Sequence, residues 1–481
     1  MERARAAVTP EEFRRIGHRV VDWIADYRSG IASRPVLARS TPGDVRRRLP
    51  AAPPATGEPL DALLQDLDET ILPGLTHWQH PSFFSYFPAN ATLASVVGDF
   101  LSTGLGVIGL NWQASPALTE LELLMSDWMR QMTGLSAQWR GAIHDTASTA
   151  TLVALLCARE RTTSFSMQRG GLQGEPHPLV VYASSESHSS VLKAALLAGF
   201  GRERVRAIPV DGTFALDALA LRKSLAADKA EGLIPCALVA TTGTTSSTAL
   251  DPVEAMAELA SEYGCWLHVD AAMAGSAMIL PECRWMWAGV ERADSIVLNP
   301  HKWLGAVFDS SLYYVREVEH LVRVMSTNPS YLRTAADETA VNLRDWNIPL
   351  GRRFRALKLW ALIRSEGVTG LQARLRRDLE NAQWLAAQVD ATQAWERIAP
   401  VPLQTVCVRH HPPGLDGEAL DRHTLAWLER LNRSGDAFLN PTVLGGRWTV
   451  RVSIGVEATE RTHVAALWER MQAMAREVEA T

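Results

Sequence analysis

The sequence predicts an α/β protein with a mostly parallel central sheet, followed by a small C-terminal α+β domain. From about residue 95 onward, short apolar runs alternate with helical stretches, the pattern of strand–helix–strand units. After about residue 360, long amphipathic helices with few strands take over. A length of 481 residues with 47% hydrophobic residues allows two or three structural units with a real core.

The composition excludes several classes of protein. With 48 Lys and Arg against 53 Asp and Glu, the net charge of −5 argues against a nucleic-acid partner. No stretch approaches the ~20 apolar residues that cross a bilayer, and the N-terminus lacks the apolar region of a secretory signal. We therefore expect a cytoplasmic protein without membrane contact. The five cysteines form no CxxC pair, so we expect buried reduced thiols and no metal site.

The N-terminal segment, residues 1–92, is predicted to consist of two helices joined by a connector. Apolar residues recur at helical spacing over residues 11–32, and a second helix covers Leu60–Leu72. Between them lies a proline-rich stretch, residues 34–59. This segment has too little apolar surface for a core of its own, so we expect it to pack on a partner subunit.

The large domain is predicted to span residues 93–359 and the small domain residues 360–481. The predicted strands of the large domain are Leu179–Ala183, Ala237–Ala240, Cys265–Val269 and Ser295–Leu298. The helices between or before them are Ala147–Arg161, Ser190–Leu197 and Pro252–Tyr263. The small domain contains two predicted strands, Gln404–Val408 and Arg447–Ile454.

Polar residues follow all four strands of the large domain. His188 follows the first strand, a Thr/Gly/Ser loop over residues 241–247 follows the second, and Asp270 and Lys302 follow the third and fourth. Ligands of open α/β sheets bind at the carboxyl ends of the strands. Taken alone, each feature has a structural explanation, as a helix cap, a turn or a surface lysine. Their occurrence at four successive strand ends favours a functional site.

A candidate anion site lies where the helix at Ala147 begins. Small and hydroxyl residues at a helix N-terminus leave backbone N–H groups free, which suits a phosphate but also suits plain capping. Asp145 would repel a phosphate unless its carboxylate turns away to cap the helix.

Three motifs resemble the pyridoxal-phosphate (PLP)-dependent group II amino acid decarboxylases. They are NPHKW at 299–303, HVDAA at 268–272 and a serine-rich stretch around His188. The nearest branch is the aromatic L-amino acid decarboxylases, which further segments resemble, at residues 76–90, 115–122, 266–277, 298–305, 328–332 and 348–360. The resemblance implies PLP fold type I, like that of aspartate aminotransferase. It also implies a homodimer with shared active sites, in which the N-terminal helical segment is swapped onto the partner.

The resemblance assigns roles around the cofactor. Lys302 would bind PLP covalently as a Schiff base, Asp270 would pair with the pyridinium nitrogen, and His188 would stack on the ring. Thr245 matches a position near the ring. The remaining matches surround the phosphate, at Ala147, Ser148, Asn299 and His301.

The resemblance also assigns a proton donor, Tyr331. It lies in the polar stretch Asn328–Glu338, which suits a lid that reaches a neighbouring subunit's site and excludes water. Relatives that form aldehydes oxidatively tend to lack this tyrosine or the stacking histidine. Because both Tyr331 and His188 are present, simple decarboxylation is favoured.

The substrate predicted from the resemblance is an aromatic L-amino acid: tryptophan, DOPA, tyrosine or phenylalanine. The matching substrate-binding positions are Trp78, Tyr86, Phe87, Pro88, Ile108, Leu110 and Gly351. Ile108 and Leu110 would come from the second subunit, and the glycine leaves room for a large ring. Met273 and Leu110 depart from residues common in relatives, Tyr and Phe, which leaves the preferred amino acid open.

Three alternatives remain beside aromatic amino acid decarboxylation. One keeps the cofactor but forms an aldehyde, with ammonia and peroxide as further products. Another changes the substrate to glutamate or histidine. A third, an inactive binding protein with this fold, is disfavoured because Lys302, Asp270 and His188 are all present.

Overall fold

The computed structural model describes residues 8–327 and 339–479. Its N-terminal helices are α1 (Pro10–Ser29), α2 (Asp44–Arg48) and α3 (Leu60–Asp66). The connector between α1 and α3 packs on the small domain of its own chain, where Val36 is fully buried and its N–H donates to the Gly435 carbonyl (2.9 Å). On α1, however, Phe13 and Val21 stay exposed, so part of the apolar surface of this segment is uncovered within one chain.

A seven-stranded sheet forms the centre of the large domain. Its strands are β1 (Arg140–His144), β2 (Leu179–Ser184), β3 (Val205–Ile208), β4 (Ile234–Thr241), β5 (Trp266–Asp270), β6 (Ser295–Leu298) and β7 (Ser311–Val315). They lie in the order β1-β7-β6-β5-β4-β2-β3. β7 runs antiparallel to both of its neighbours, and the strands from β6 to β3 are parallel. This confirms the predicted mostly parallel sheet.

Helices pack around this sheet. Their bounds are α4 (Leu93–Leu105), α5 (Pro116–Thr133), α6 (Ala147–Thr162), α7 (Ser189–Leu197), α8 (Ala218–Ala230), α9 (Val253–Tyr263), α10 (Val318–Met325) and α11 (Ala356–Asp390). α11 packs on α4 and also contacts the small domain, and its helical backbone is interrupted at Gly367. The boundary predicted between residues 359 and 360 therefore lies within a helix. No helix in the two described ranges is both long and apolar enough to cross a membrane.

The small domain is built on a four-stranded antiparallel sheet. Its elements are β8 (Trp395–Arg397), β9 (Thr405–His410), α12 (Gly417–Ser434), β10 (Asn440–Leu444), β11 (Arg447–Ser453) and α13 (Arg461–Glu479). The strand order is β10-β11-β9-β8. This arrangement agrees with the predicted α+β character of the region.

The central strands are apolar runs because both faces of the sheet are covered. Successive residues of β4 and β5 point to opposite faces, so Leu238 and Leu267 join one buried cluster while Val239 and Trp266 join another. Because β2, β4, β5 and β6 run parallel, their carboxyl ends, and the polar residues that follow them, lie at one edge of the sheet.

Candidate active site

A cavity of about 220 Å³ lies at the carboxyl ends of β2, β4, β5 and β6. Its lining includes all eight residues for which the sequence predicted cofactor contact. These are Ala147, Ser148, His188, Thr245, Asp270, Asn299, His301 and Lys302. The structure therefore brings the four strand-end features into one site.

Asp270 and Asn299 are fixed by the pairing of β5 with β6. The N–H of Ala271 donates to Val297 O (2.9 Å), and the N–H of Asn299 donates to Ala272 O (3.1 Å). The turn after β5 lies so close to β6 that a Cβ at Gly275 would collide with the Leu298 side chain. Asp270 as a whole is only 4% exposed.

The Asn299 side chain has a defined orientation. The hydroxyl of Ser311, on β7, donates to Asn299 Oδ1 (2.5 Å). Because the amide oxygen is engaged, the amide nitrogen is left to donate toward the cavity.

Lys302 sits in a short turn, Pro300–Leu304, that follows β6. Its backbone is not helical (φ −97°, ψ −110°), and its N–H donates to Asn299 O (3.1 Å). Burial lowers the pKa of the Lys302 amine; the carboxylate of Asp270 opposes this effect and the charge of Arg451 adds to it. A lysine in this setting loses its proton more readily than one in water and becomes a better nucleophile.

His188 both caps a helix and lines the cavity, so its role as a helix cap does not exclude a role in the site. Its Nδ1 accepts the backbone N–H of Ser190 (3.1 Å) at the start of α7. Burial lowers the pKa of His188; Asp270 opposes this effect and Lys302 reinforces it. With Nδ1 acting as an acceptor, the neutral ring carries its proton on Nε2.

His301 is held as a neutral imidazole. Its Nδ1 accepts the N–H of Ser310 (2.9 Å), and its ring packs against Phe308. Burial lowers the pKa of His301 to about 3, and the nearby Lys302 contributes to the shift. His301 therefore carries no charge near neutral pH and can act as a hydrogen-bonding group.

The N-terminus of α6 offers free backbone donors to the cavity. The Thr146 side chain caps the helix by accepting the N–H of Thr149 (3.4 Å). Asp145 accepts the N–H of Thr146 (2.7 Å), so its carboxylate is engaged in the turn itself. Within the described residues, the N–H groups of Ala147 and Ser148 have no acceptor. Together with the dipole of α6, they suit an anion such as a phosphate.

The residues predicted to form one wall of the substrate site, Trp78, Tyr86, Phe87 and Pro88, are only partly assembled in one chain. Phe87 lines the cavity. Tyr86 and Trp78 stack on each other outside it, with ring centroids 5.4 Å apart, and both rings are partly exposed. Pro88 is buried beside Gly455.

The other predicted substrate residues lie away from this cavity. The backbones of Gly109 and Arg352 form an isolated β-bridge, which sets Ile108 beside Gly351. A Cβ at Gly351 would meet Ile108 Cγ2 at 3.6 Å, and Ile108 is 58% exposed. Leu110 follows the bridge and is partly exposed. Tyr331 lies outside the described residues.

Five further residues line the cavity that were not predicted individually as site residues. They are Thr146, Ser190, Thr241, Gly243 and Ala272. Each lies within two residues of a predicted site residue or of a predicted strand. Thr241 is the last residue of β4, one position beyond the apolar run, so a longer estimate of that strand would have included it.

The comparisons with known proteins agree on one family. A profile of the pyridoxal-dependent decarboxylase conserved domain matches residues 42–411. Tryptophan decarboxylase 2 of Oryza sativa subsp. japonica is 39% identical over 472 residues, covering 96% of this chain and 94% of the relative. Phenylacetaldehyde synthase of Arabidopsis thaliana is 40% identical over 472 residues, covering 96% and 95%. A crystal structure of Oryza sativa TDC with PLP and tryptamine superposes with a TM-score of 0.95 at 37% identity, covering 98% of this chain and 99% of that one.

Removing one of the free N–H groups of α6 tests the anion site. Proline is tolerated at the first position of a helix, and Thr146 already has the extended backbone (φ −136°, ψ 161°) that a following proline requires. We expect Ala147→Pro to weaken PLP binding roughly tenfold or more, the value of a hydrogen bond to a charged group, with little change in melting temperature.

The control is Ala218→Pro, at the first position of α8, whose preceding residue is also extended (φ −76°, ψ 107°). It should leave the PLP dissociation constant, measured by titration of the cofactor-free protein, unchanged. Equal PLP affinities for the parent and Ala147→Pro would show that this amide does not bind the phosphate.

Proposed function

The chain belongs to the pyridoxal-dependent decarboxylase family, and on that premise we propose that it converts an aromatic L-amino acid to the arylalkylamine and CO₂. The observation that carries the proposal is the single cavity that gathers a buried amine, a buried carboxylate and free backbone N–H groups. Tryptophan, DOPA, tyrosine and phenylalanine are the candidate substrates.

The residues of the cavity fit PLP, the cofactor of this family. Lys302 offers an amine of lowered pKa for the cofactor's aldehyde, and Asp270 offers a buried carboxylate for its ring nitrogen. The N–H groups of Ala147 and Ser148, with Asn299 and the neutral His301, offer hydrogen bonds to its phosphate. Bound there, PLP supplies a protonated aromatic ring that withdraws electron density from the substrate Cα.

The protein's own residues would decide which bond of the substrate breaks. His188 would cover one face of the cofactor ring, because it lines the cavity and its own ring is fixed by the cap on α7. Asp270 would keep the ring nitrogen protonated through its charge. Holding the carboxylate of the substrate perpendicular to that ring favours loss of CO₂ over other reactions at Cα.

An aromatic substrate suits the lining of the cavity. Phe87 and Met273 contribute apolar surface, and Met is an adaptable contact for aromatic rings. Among the described residues of the lining, Lys302 is the only lysine or arginine, and it is assigned to the cofactor. Since a glutamate side chain would need a cation of its own, this lining favours an aryl or indole group.

Aldehyde formation is the second candidate, favoured by the relative named phenylacetaldehyde synthase, 40% identical. Against it stands the presence of both Tyr331 and His188 in the sequence. In this proposal Tyr331 would supply the proton that Cα needs after CO₂ leaves, which yields the amine and disfavours reaction with oxygen.

We further propose a homodimer whose two active sites are shared. α4 carries an exposed apolar surface that includes Val97, Phe100, Leu101 and Leu105, of a kind that marks protein interfaces. Ile108 and Gly351 lie together on the surface, so one partner could supply both to the other's cavity. The five buried free cysteines are consistent with a cytoplasmic, reducing environment.

Product analysis tests the proposed function. The PLP-loaded protein is offered tryptophan, DOPA, tyrosine, phenylalanine, histidine and glutamate separately, and CO₂, amine, ammonia and peroxide are measured together. We expect equal amounts of amine and CO₂ from aromatic substrates, with little peroxide. Stoichiometric ammonia and peroxide would establish aldehyde formation instead, and turnover of glutamate alone would refute the aromatic substrate class.

Hybrid dimers test the shared sites. Lys302→Ala removes the amine and Ile108→Arg places a charge in the proposed partner contribution, so each homodimer should be inactive. Co-expression of the two variants should restore activity at about a quarter of the sites, because about half of the dimers are hybrids with one intact site.

The control for the charge is Leu219→Arg, at an apolar position on α8 that is also exposed (71%, against 58% for Ile108). This variant should stay active. Size-exclusion chromatography verifies that the variants are dimers. If hybrid dimers form but stay inactive, Lys302 and Ile108 do not complete one site from two subunits.

A further inference from the structure

Arg451 is a buried cation from the small domain that reaches the wall of the cavity. It lies on β11 and is only 4% exposed. Its Nη1 donates to the carbonyl of Tyr86 (2.7 Å), and its Nε donates to the carbonyl of Ser246 (3.4 Å). One side chain thus ties the segment before Phe87 and the loop that carries Thr245 to the small domain.

No carboxylate compensates the charge of Arg451 among the described residues, and its Nη2 is buried there without a hydrogen-bond partner. Burial lowers the pKa of Arg451 to about 10, against a small opposing effect of Cys407. Buried charges in proteins are normally paired, because desolvation is costly. An unpaired guanidinium at this place therefore calls for a functional explanation.

The explanation lies in two groups near Arg451, the ring of Phe87 and the amine of Lys302. The Arg451 guanidinium lies 4.9 Å from the centre of the Phe87 ring, and the amine of Lys302 lies 5.3 Å from the same centre. Phe87 and Lys302 both line the cavity, whereas Arg451 does not. Arg451 therefore acts on the site through the ring of Phe87 and through its charge.

We propose that Arg451 is a positioning residue that holds the Tyr86–Phe87 wall in place and keeps the amine of Lys302 in its neutral, nucleophilic form. Tyr86 has a left-handed backbone (φ 49°), a strained conformation for this residue, and its carbonyl is the one that Arg451 binds. The inference rests on the proposed role of Lys302 as the cofactor-binding amine.

The groups that act on the charge of Lys302 are few. Asp270 favours its protonated form and Arg451 disfavours it. The two histidines that interact with it, His188 and His301, have lowered pKa values and are neutral near pH 7. Arg451 is thus the charge that opposes Asp270, and its removal should raise the pKa of Lys302.

Two substitutions separate the charge of Arg451 from its hydrogen bonds. Arg451→Gln is neutral but keeps an amide donor for the Tyr86 carbonyl. Arg451→Lys keeps the charge but loses the planar guanidinium, whose several N–H donors have a fixed geometry. The matched control is Arg461→Gln. Like Arg451, Arg461 lies over an aromatic ring, but this ring is that of Trp384 in the small domain, with its centre 5.2 Å from the guanidinium carbon.

The measurement is the rate of PLP uptake by the cofactor-free proteins across pH, followed by PLP absorbance. Both cations lie within about 5 Å of one ring centre, so they are at most about 10 Å apart. Arg451→Gln should therefore shift the uptake profile upward by roughly one pH unit, since fewer Lys302 amines are neutral at a given pH. Arg451→Lys and Arg461→Gln should keep the parental profile.

Steady-state kinetics of the loaded enzymes test the second half of the proposal. Arg451→Lys should raise the KM for an aromatic substrate several-fold, because the wall loses its anchor. A parental pH profile for Arg451→Gln, or an equal shift in Arg451→Lys, would refute the electrostatic role, and a parental KM for Arg451→Lys would refute the anchoring role. Failure of the parent protein to take up PLP would instead overturn the role of Lys302 itself.

Discussion

The site depends on the burial of the Lys302 amine near the carboxylate of Asp270. Asp270 is the last residue of β5 and Lys302 follows the neighbouring parallel strand β6, so the sheet brings the two residues together. Burial lowers the pKa of the amine, and Asp270 limits how far it falls. The charge of Arg451 lowers it further, and both histidines of the cavity are held neutral, so Asp270 and Arg451 are the two charges that act on the amine.

The same constraint explains how the site can accept a phosphate. The free N–H groups at the start of α6 supply partial positive charge without a further ionised side chain. Asp145, the nearby residue that could repel an anion, has its carboxylate engaged by the N–H of Thr146. The chemistry of the cavity therefore follows from local backbone geometry at four strand ends and one helix start.

The sequence predicted the part of the site that follows directly from the parallel sheet. His188, Asp270 and Lys302 each come just after a buried apolar run, and strands buried on both faces are the easiest to recognise. β3 was not predicted, because it is a short edge strand in which only the last residue is buried. β1, at the other edge, was not predicted either, although four of its five residues are buried. β7 was also not among the predicted strands, although its five residues are all buried.

The sequence could not predict features that depend on tertiary contacts. Tyr86 and Phe87 are neighbours, yet the left-handed backbone of Tyr86 leaves one ring outside the cavity while the other lines it. Similarly, the bridge between Gly109 and Arg352 joins segments more than two hundred residues apart, and only the fold sets Gly351 beside Ile108. Arg451 alternates with apolar residues of β11 and resembles an ordinary strand position until its contacts are known.

The most direct test of this account locates the amine that binds the cofactor. The cofactor-free protein is incubated with PLP, reduced with borohydride and digested, and the pyridoxyl group is mapped by mass spectrometry. The account predicts one pyridoxyl group per chain, on the peptide that contains Lys302. A group carried instead by the exposed Lys193 or by Lys358, or a protein that takes up PLP without any reducible lysine adduct, would contradict it.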